Sequence, residues 1–491
     1  MRALRLALPL GLGALAALGQ APFGLWPLTI LGLAGGVLLL QRAASLRAAM
    51  LTGWLLGTGY FLLALVWIVQ PFLVDPVRYG WMAPFALVFL AGGLALFWGL
   101  AFGLAKRVGT GWALVATLTL AELLRGYLFT GFPWALPGHV LVDTPLAQLA
   151  AIIGAQGLGL VVLALAVVLA GLAQRRWVPA VLTVAAVFAM WIWGGQRPET
   201  LDLQGRPVLR MVQPNAPQHQ KWDPDYAPVF FRRSLEFTAA GAQRPDLIVW
   251  PETALPVLLD DAERAYQIIH DASGPVPMVL GGERLDDGAL YNSAVVLGAD
   301  GQPGQVYDKH HLVPFGEYIP LGDLAARFGI HGLAAKEGNG FAAGPGPRLL
   351  DLGPRLGRAL PLICYEAVFP NDASHPDPRP DFLLQLTNDA WFGTFSGPYQ
   401  HLAQARLRAI EQGLPLARAA NTGVSGMIDP WGRVTAQIPL GQAGWVDAPL
   451  PKALPATPFT RWGDWLALGL AVLGLVASTG WARTNRRSLS R

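Results

Sequence analysis

Apolar stretches long enough to cross a membrane govern what this chain can become. Seven precede residue 200, at about 4–20, 22–40, 49–69, 81–104, 111–129, 153–173 and 177–194, and an eighth runs from Trp462 to Trp481. A helix needs roughly 20 apolar residues to cross about 30 Å of hydrocarbon, and each stretch approaches that length. Charged residues are only 14% of the 491, against 53% hydrophobic, where a soluble domain carries roughly 25% charge. Arg2 and Arg5 ahead of a short apolar core also fit a secretory leader, but the second apolar stretch follows at once with no clear small-x-small site separating them. The expectation is a membrane α-helical bundle of eight transmembrane helices: seven within 1–196, the eighth at 460–482, and a basic tail at 483–491.

The basic residues then orient the bundle. Arg2 and Arg5, Arg42 and Arg47, Lys106 and Arg107, Arg175 and Arg176, and Arg483, Arg486, Arg487 and Arg491 fall on one side if the chain crosses at every stretch. The opposite short connections hold little beyond Arg78. Positive residues mark the cytoplasmic side, so both termini are expected there, and the long segment between the last two spans on the outer face. The net charge of +4 is small for this length and forms no basic stripe, so no nucleic-acid partner is expected. A single cysteine, Cys364, allows no disulfide within the chain and no Cys-x-x-Cys metal pair.

Residues 205–450 follow a different pattern. Short β-rich runs, VLRMVQ (208–213), DLIVW (246–250), MVLGG (278–282), NSAVVLG (292–298), FLLQLT (382–387) and SGMID (425–429), alternate with helical and Pro/Gly-rich pieces. This is the pattern of a layered α/β domain with a core of its own. The stretch KEGNGFAAGPGP (336–347) reads as a mobile loop and, with AWFGTF (390–395), as a candidate flap.

Three reactive side chains in this domain follow strand-like runs: Glu252 after DLIVW and a proline, Lys309 in VYDKHHLVPFGEYIP, and Cys364 at the end of ALPLI. The ends of strands are where α/β folds gather reactive groups. Taken singly, each has a plainer reading: a core thiol, a helix-capping carboxylate, a lysine in a solvated turn.

Together they resemble the nitrilase-like carbon–nitrogen hydrolases, whose sites hold Glu, Lys and Cys. WPETALP matches the Glu segment, YDKHHLVPFGEYIP the Lys segment and ICYE the Cys segment. With membrane helices on both sides, the whole chain is similar to the membrane-embedded apolipoprotein N-acyltransferase family. The resemblance implies an extracytoplasmic nitrilase-like αββα sandwich with Glu252, Lys309 and Cys364 as catalytic triad. It implies supporting roles for Glu317, Glu366, Tyr365 and Asn292, and substrate-binding roles for Trp222, Trp391 and Phe392. It further implies a monomer in the bacterial inner membrane, with a periplasmic catalytic domain and no cofactor. A membrane phospholipid would be the acyl donor, Cys364 the thioester carrier, and the N-terminal α-amine of a diacylglyceryl-cysteine lipoprotein the acceptor.

The chemistry is coherent on elementary grounds. A free thiol is only a few per cent ionised at neutral pH, so a nearby ammonium would favour the thiolate and a carboxylate would accept its proton. The resulting thioester reacts well with amines. An alternative is a membrane-tethered amidase that hydrolyses small amides; another is a transporter or sensor whose outer domain only binds ligand. Two further features read as structural. Glu122 and Arg125 stand at helical i, i+3 spacing and can pair. His310 and His311 are adjacent, so on a strand they point to opposite faces, and no metal is expected.

Overall fold

A computed structural model describes residues 2–175, 177–198, 200–320, 340–374 and 377–489. The chain divides into two compact units. Met1–Val69, Trp81–Pro198 and Ala456–Arg491 form one, and Gln70–Gly80 with Glu199–Pro455 form the other.

Every apolar stretch of the first unit folds as a helix: α1 (Arg2–Ala17), α2 (Trp26–Arg42), α3 (Leu46–Ala64), α4 (Ala83–Val108), α5 (Trp112–Tyr127), α6 (Ala150–Leu172), α7 (Trp177–Gly195) and, after the α/β segment, Trp465–Leu489. Among the described residues, six helical segments are long and apolar enough to cross a membrane, whereas Leu6–Ala17 and Trp26–Arg42 are shorter. At about 1.5 Å per residue, 17 residues reach roughly 25 Å. What separates these two short helices is a polar turn. Gln20 is buried there, donating to the Tyr60 hydroxyl at 2.6 Å and to the Leu136 carbonyl at 2.9 Å, and Gly24 takes a left-handed φ of 64°.

Small residues let the helices meet backbone to backbone. A Cβ on Gly13 would fall 1.9 Å from the Leu56 carbonyl oxygen, and one on Gly59 would fall 2.0 Å from that of Leu10, so α1 and α3 tolerate nothing larger at this crossing. The Glu122–Arg125 pair of α5 is buried. Arg125 Nε donates to Glu122 Oε1 at 3.1 Å, the Trp98 indole donates to the same oxygen at 2.8 Å, and Arg125 Nη1 reaches the carbonyls of Phe132 and, at 3.0 Å, Trp134. Arg125 therefore does not reach for an interface; it pins the irregular segment that follows its own helix.

The second unit contains two six-stranded sheets. The first has the order β12-β1-β2-β3-β4-β5 and the second β11-β10-β9-β8-β7-β6. In chain order these are β1 (Val208–Gln213), β2 (Leu247–Val249), β3 (Met278–Asp286), β4 (Ala289–Leu297), β5 (Pro303–Asp308), β6 (Leu350–Asp351), β7 (Arg358–Ile363), β8 (Phe382–Thr387), β9 (Leu416–Ala420), β10 (Ser425–Ile428), β11 (Val434–Ile438) and β12 (Gly444–Pro449). Strands β1, β2 and β3 are parallel, and β3, β4 and β5 form antiparallel hairpins. The second sheet is built on parallel β7, β8 and β9. Parallel strands are covered on both faces and read as continuous apolar runs, as FLLQLT does.

Helices α8 (Ala227–Ala239) and α9 (Glu263–Ser273) cover the first sheet, burying Tyr266 and Ile269 against Ile248, Met278 and Leu280. Helix α10 (Gly397–Gln412) covers the second, with Ala405 and Ala409 against Leu360, Leu383 and Leu416. The inner faces of the sheets meet each other, joined at one point by Gln213 Oε1, which accepts from the Ser425 N–H at 3.1 Å. The result is an αββα sandwich. Strands β2 and β5 run in the same direction and β7 faces them from the second sheet, so chain segments leaving these three strands can converge. A test of the helix packing is Gly59→Leu. Forcing a side chain against the Leu10 carbonyl should lower the melting temperature of the detergent-solubilised protein by several degrees, while Gly93→Leu, at a position with open space, should leave it unchanged.

Candidate active site

Glu252 lies three residues beyond β2, on a turn in which Thr253 has a left-handed φ of 45°. The turn rests on the backbone of Gly281: the Ala254 N–H donates to the Gly281 carbonyl at 2.8 Å. A Cβ there would come within 2.5 Å of the Pro251 carbonyl oxygen and 2.7 Å of Glu252 Cα. The glycine of MVLGG is what lets this carboxylate approach the sheet. Lys309 directly follows β5, its N–H donating to the Asn292 carbonyl at 2.8 Å. Cys364 directly follows β7 with φ 50°, a strained conformation for a residue with a side chain.

These turns bring the Glu252 carboxylate and the Lys309 ammonium into one buried cluster, and the buried Cys364 thiol lies within the electrostatic reach of both. Lys309 Nζ, in a side chain only 1% exposed, donates to Glu317 Oε1 at 2.7 Å and stands 3.5 Å from Glu252 Oε1. Asn292 Nδ2 bridges the two carboxylates, at 2.7 Å to Glu252 and 3.4 Å to Glu317. The second oxygens are held by backbone: Asn388 N–H donates to Glu252 Oε2 and Val313 N–H to Glu317 Oε2, each at 2.8 Å. The buried Oδ1 of Asn292 has no partner among the described residues.

Glu366, fully buried, ties the lysine loop to the cysteine loop. It accepts from the Ile363 N–H at 2.6 Å, the His310 N–H at 2.8 Å and the Tyr307 hydroxyl at 2.8 Å. His310 and His311 both bond to Asp372. Burial opposes charge on His310, but its hydrogen bonds with Asp372 and Glu366 outweigh it and raise its pKa to about 10. Tyr365 is buried edge-on to Phe369 and His311.

The electrostatics correct one expectation. Burial opposes the Lys309 ammonium, yet Glu317, Glu252 and Cys364 outweigh it and hold the lysine charged. Burial, and then the Glu252 charge, push the Cys364 thiol well above its ordinary range; Lys309 and a hydrogen bond with Thr387 pull the other way and lose. The resting site therefore holds a thiol, and the ammonium alone does not produce a thiolate.

Of the positions expected to meet substrate, Trp222 is 43% exposed, Trp391 is half-buried, and Phe392 is buried edge-on against the His401 ring at 5.4 Å. Phe392 thus packs inside the domain, because the turn Asp389–Phe392 carries it inward. In the loop read as mobile, 336–339 lie outside the described residues. The part from Gly340 on is bonded rather than loose: Phe341 N–H to the Glu317 carbonyl at 2.9 Å, and Gly344 N–H to the Lys309 carbonyl at 2.8 Å.

Comparison with known proteins agrees with this architecture. Residues 12–168 match the family model of the apolipoprotein N-acyltransferase N-terminal domain, and 209–454 that of the carbon-nitrogen hydrolases. The apolipoprotein N-acyltransferase of Rhodopseudomonas palustris is 38% identical over 94% of this chain and 92% of its own length. That of Caulobacter vibrioides is 39% identical over 96% and 94%. The chain belongs to the apolipoprotein N-acyltransferase family. Its α/β unit has the nitrilase-like carbon–nitrogen hydrolase fold, and several apolar helices accompany it.

Around this site, Lys221, His401 and Arg418 went unnoticed in the sequence, whereas Asp389 lies in the NDAWFG segment (388–393) that the family resemblance sets near the pocket. Lys221 is buried, its Nζ donating to the Glu252 carbonyl at 3.1 Å and to the Thr253 hydroxyl. Burial lowers its pKa to about 8 against the attraction of Glu252, Glu283 and Cys364. Only its place beside Trp222 in KWDP could have flagged it. Beneath the nucleophile position, Asp389, His401 and Arg418 form a fully buried network: Asp389 Oδ1 lies 2.9 Å from His401 Nδ1, Arg418 bonds to Asp389 Oδ2, and His401 Nε2 lies 3.1 Å from the Cys364 carbonyl oxygen. Arg418 and His401 draw the Asp389 pKa down to about 2 in spite of its burial. Removing one partner strands a buried charge, a loss of about 3–5 kcal/mol. Asp389→Ala should accordingly lower stability by that order in denaturant or thermal unfolding, whereas Asp225→Ala, an exposed carboxylate, should not.

Proposed function

We propose that this member of the family acylates lipoproteins by a two-step exchange through Cys364. The observation that carries the reading is the single buried cluster of Glu252, Lys309 and Glu317 beside the left-handed turn of Cys364, in a chain whose relatives share it nearly end to end.

In the first step Glu252 takes the thiol proton as the sulfur attacks an ester carbonyl of a phospholipid. Because the resting thiol is neutral, proton transfer accompanies attack. Lys309 faces the charge that develops on the carbonyl oxygen, with the Tyr365 N–H as a second donor; preorganised donors of this kind are usually the largest single source of stabilisation in acyl transfer. Glu252 returns its proton to the departing lyso-phospholipid alcohol, leaving a thioester on Cys364. In the second step the α-amine of a diacylglyceryl-cysteine lipoprotein attacks that thioester, Glu252 removes an amine proton, and the amide forms as the thiol is regenerated. Glu317, Asn292 and Glu366 hold Lys309, Glu252 and the two loops in place.

The apolar helices support a lipid surface as the setting of this chemistry. In this reading all eight helices span the bacterial inner membrane, α1 and α2 crossing where the bilayer thins to their length, with both termini cytoplasmic and the catalytic domain periplasmic. Trp222 and Trp391 are the candidates for lipid contact.

Cys364→Ala, Glu252→Gln and Lys309→Ala should each reduce transfer from phosphatidylethanolamine to a diacylated lipopeptide by orders of magnitude, because the three act as a unit. With acceptor withheld, the intact mass of the wild-type protein should increase by one acyl group, absent in Cys364→Ala. Ordinary turnover by Cys364→Ala would overturn the mechanism, and ammonia release from small amides without acyl transfer would favour the hydrolase alternative.

A further inference from the structure

We propose that Lys221 is a positioning residue of this site, a second buried ammonium that clamps the main chain of Glu252 and faces the negative charge that Glu252 and Cys364 share during transfer. The inference rests on the assignment of Glu252 and Cys364 above.

Three observations lead to it. The first is geometry. Lys309 holds the carboxylate of Glu252, whereas Lys221 Nζ holds the carbonyl of the same residue at 3.1 Å and the hydroxyl of Thr253 next to it. Thr253 is the residue with left-handed φ 45°, and a turn in so sparsely populated a conformation persists only when its surroundings overdetermine it. Gly281 supports the turn from the sheet side and Lys221 from the other.

The second is desolvation. Lys221 is 8% exposed, and a lysine is almost never so buried unless paired. Yet no carboxylate oxygen lies within ion-pair distance of it among the described residues; its partners are a carbonyl, a hydroxyl and the Trp222 ring, whose centroid lies 5.2 Å from Nζ. The fold retains a poorly compensated charge at this point, at a cost to stability that a methionine would avoid.

The third is its electrostatic surroundings. The groups that act on Lys221 are Glu252 on its own turn, Glu283 on β3 and Cys364 after β7; Lys309 lies on the carboxylate of Glu252, and Asp223, half-buried on the same turn as Lys221, accepts from the Asp225 N–H at 2.9 Å. Two of these three, Glu252 and Cys364, exchange a proton in the proposed mechanism. When the proton moves from thiol to Glu252, negative charge moves from carboxylate to sulfur, and Lys221 attracts it in both places, so the cluster never holds its anion without a facing cation. The trough lined by Lys221, Trp222, Phe230, Ser234 and Thr253 holds about 20 Å³, room for about one water.

The sign of the pH effect follows. Burial brings the Lys221 pKa down to about 8, so the ammonium is present below that pH and lost above it. Neither Lys309, held charged well above its ordinary range, nor His310, at about 10, titrates there. Transfer should therefore fall on the alkaline side of about pH 8.

The experiment measures acyl-enzyme formation from phosphatidylethanolamine and transfer to a diacylated lipopeptide, from about pH 6 to about pH 10, for wild type, Lys221→Met and Lys221→Arg. Lys221→Met should lose about 10- to 100-fold in kcat with KM within about twofold, and its profile should lack the alkaline limb. Lys221→Arg, charged throughout, should recover at least about tenfold over Lys221→Met and carry its limb to higher pH. An unchanged limb in either variant, or Lys221→Arg no better than Lys221→Met at equal melting temperature, overturns the inference. Should Lys221→Met fail to fold, the limb of Lys221→Arg decides alone. Turnover by Cys364→Ala would instead overturn the underlying mechanism whatever the Lys221 variants do.

Discussion

An ammonium with its side chain 1% exposed, set between two buried carboxylates, is the interaction around which the α/β unit is organised. Charges taken out of water are tolerable only where partners and hydrogen bonds compensate them closely. That requirement reaches well beyond Lys309. It fixes Asn292 as the amide that bridges Glu252 and Glu317, uses the Asn388 and Val313 N–H groups for the remaining oxygens, and needs Gly281 so that the Glu252 turn can come down onto the sheet. Glu366 extends the same demand, since one buried carboxylate gathers donors from the lysine loop and from the end of β7. The two sheets are locked by polar groups near the site and by apolar packing away from it.

The sequence conveyed the parts of this arrangement that depend on local pattern. VLRMVQ and FLLQLT correspond to β1 and β8 residue for residue, because continuous apolar runs with β-branched or long side chains have few other uses in a parallel sheet. Strand β9 was not legible: LARAA looks like neither strand nor core, and Arg418 sits in it fully buried only because Asp389, a residue of another loop, neutralises it. Glu252, Lys309 and Cys364 stood out because each follows a strand-like run. Lys221 did not, since nothing local distinguishes a buried lysine from a solvated one; its environment is made by residues 31 and 32 positions away. Helix lengths failed in a similar way. The apolar run that begins the chain extends past residue 17, but Gln20 and Gly24 turn it because Tyr60 and Leu136, far along the chain, bond to that glutamine.

The state of the thiol bears on why such a site can transfer rather than hydrolyse. A nucleophile held as thiolate by a nearby cation would attack any ester or electrophile that reached it, whether or not an acceptor was bound. Here burial and the Glu252 charge keep the proton on sulfur at rest, so in the proposed mechanism reaction requires Glu252 to act in concert with an ester already in place. The same burial limits water: Cys364 is 5% exposed and Glu252 5%. A water competing for the thioester must enter a site with few solvated positions, whereas an amine delivered on a lipid-anchored chain arrives at high local concentration from the bilayer. In the proposed mechanism, selectivity for the amine comes from this exclusion more than from any contact that recognises the amine itself, so loosening the buried cluster should shift the balance toward hydrolysis before it abolishes attack by the thiol.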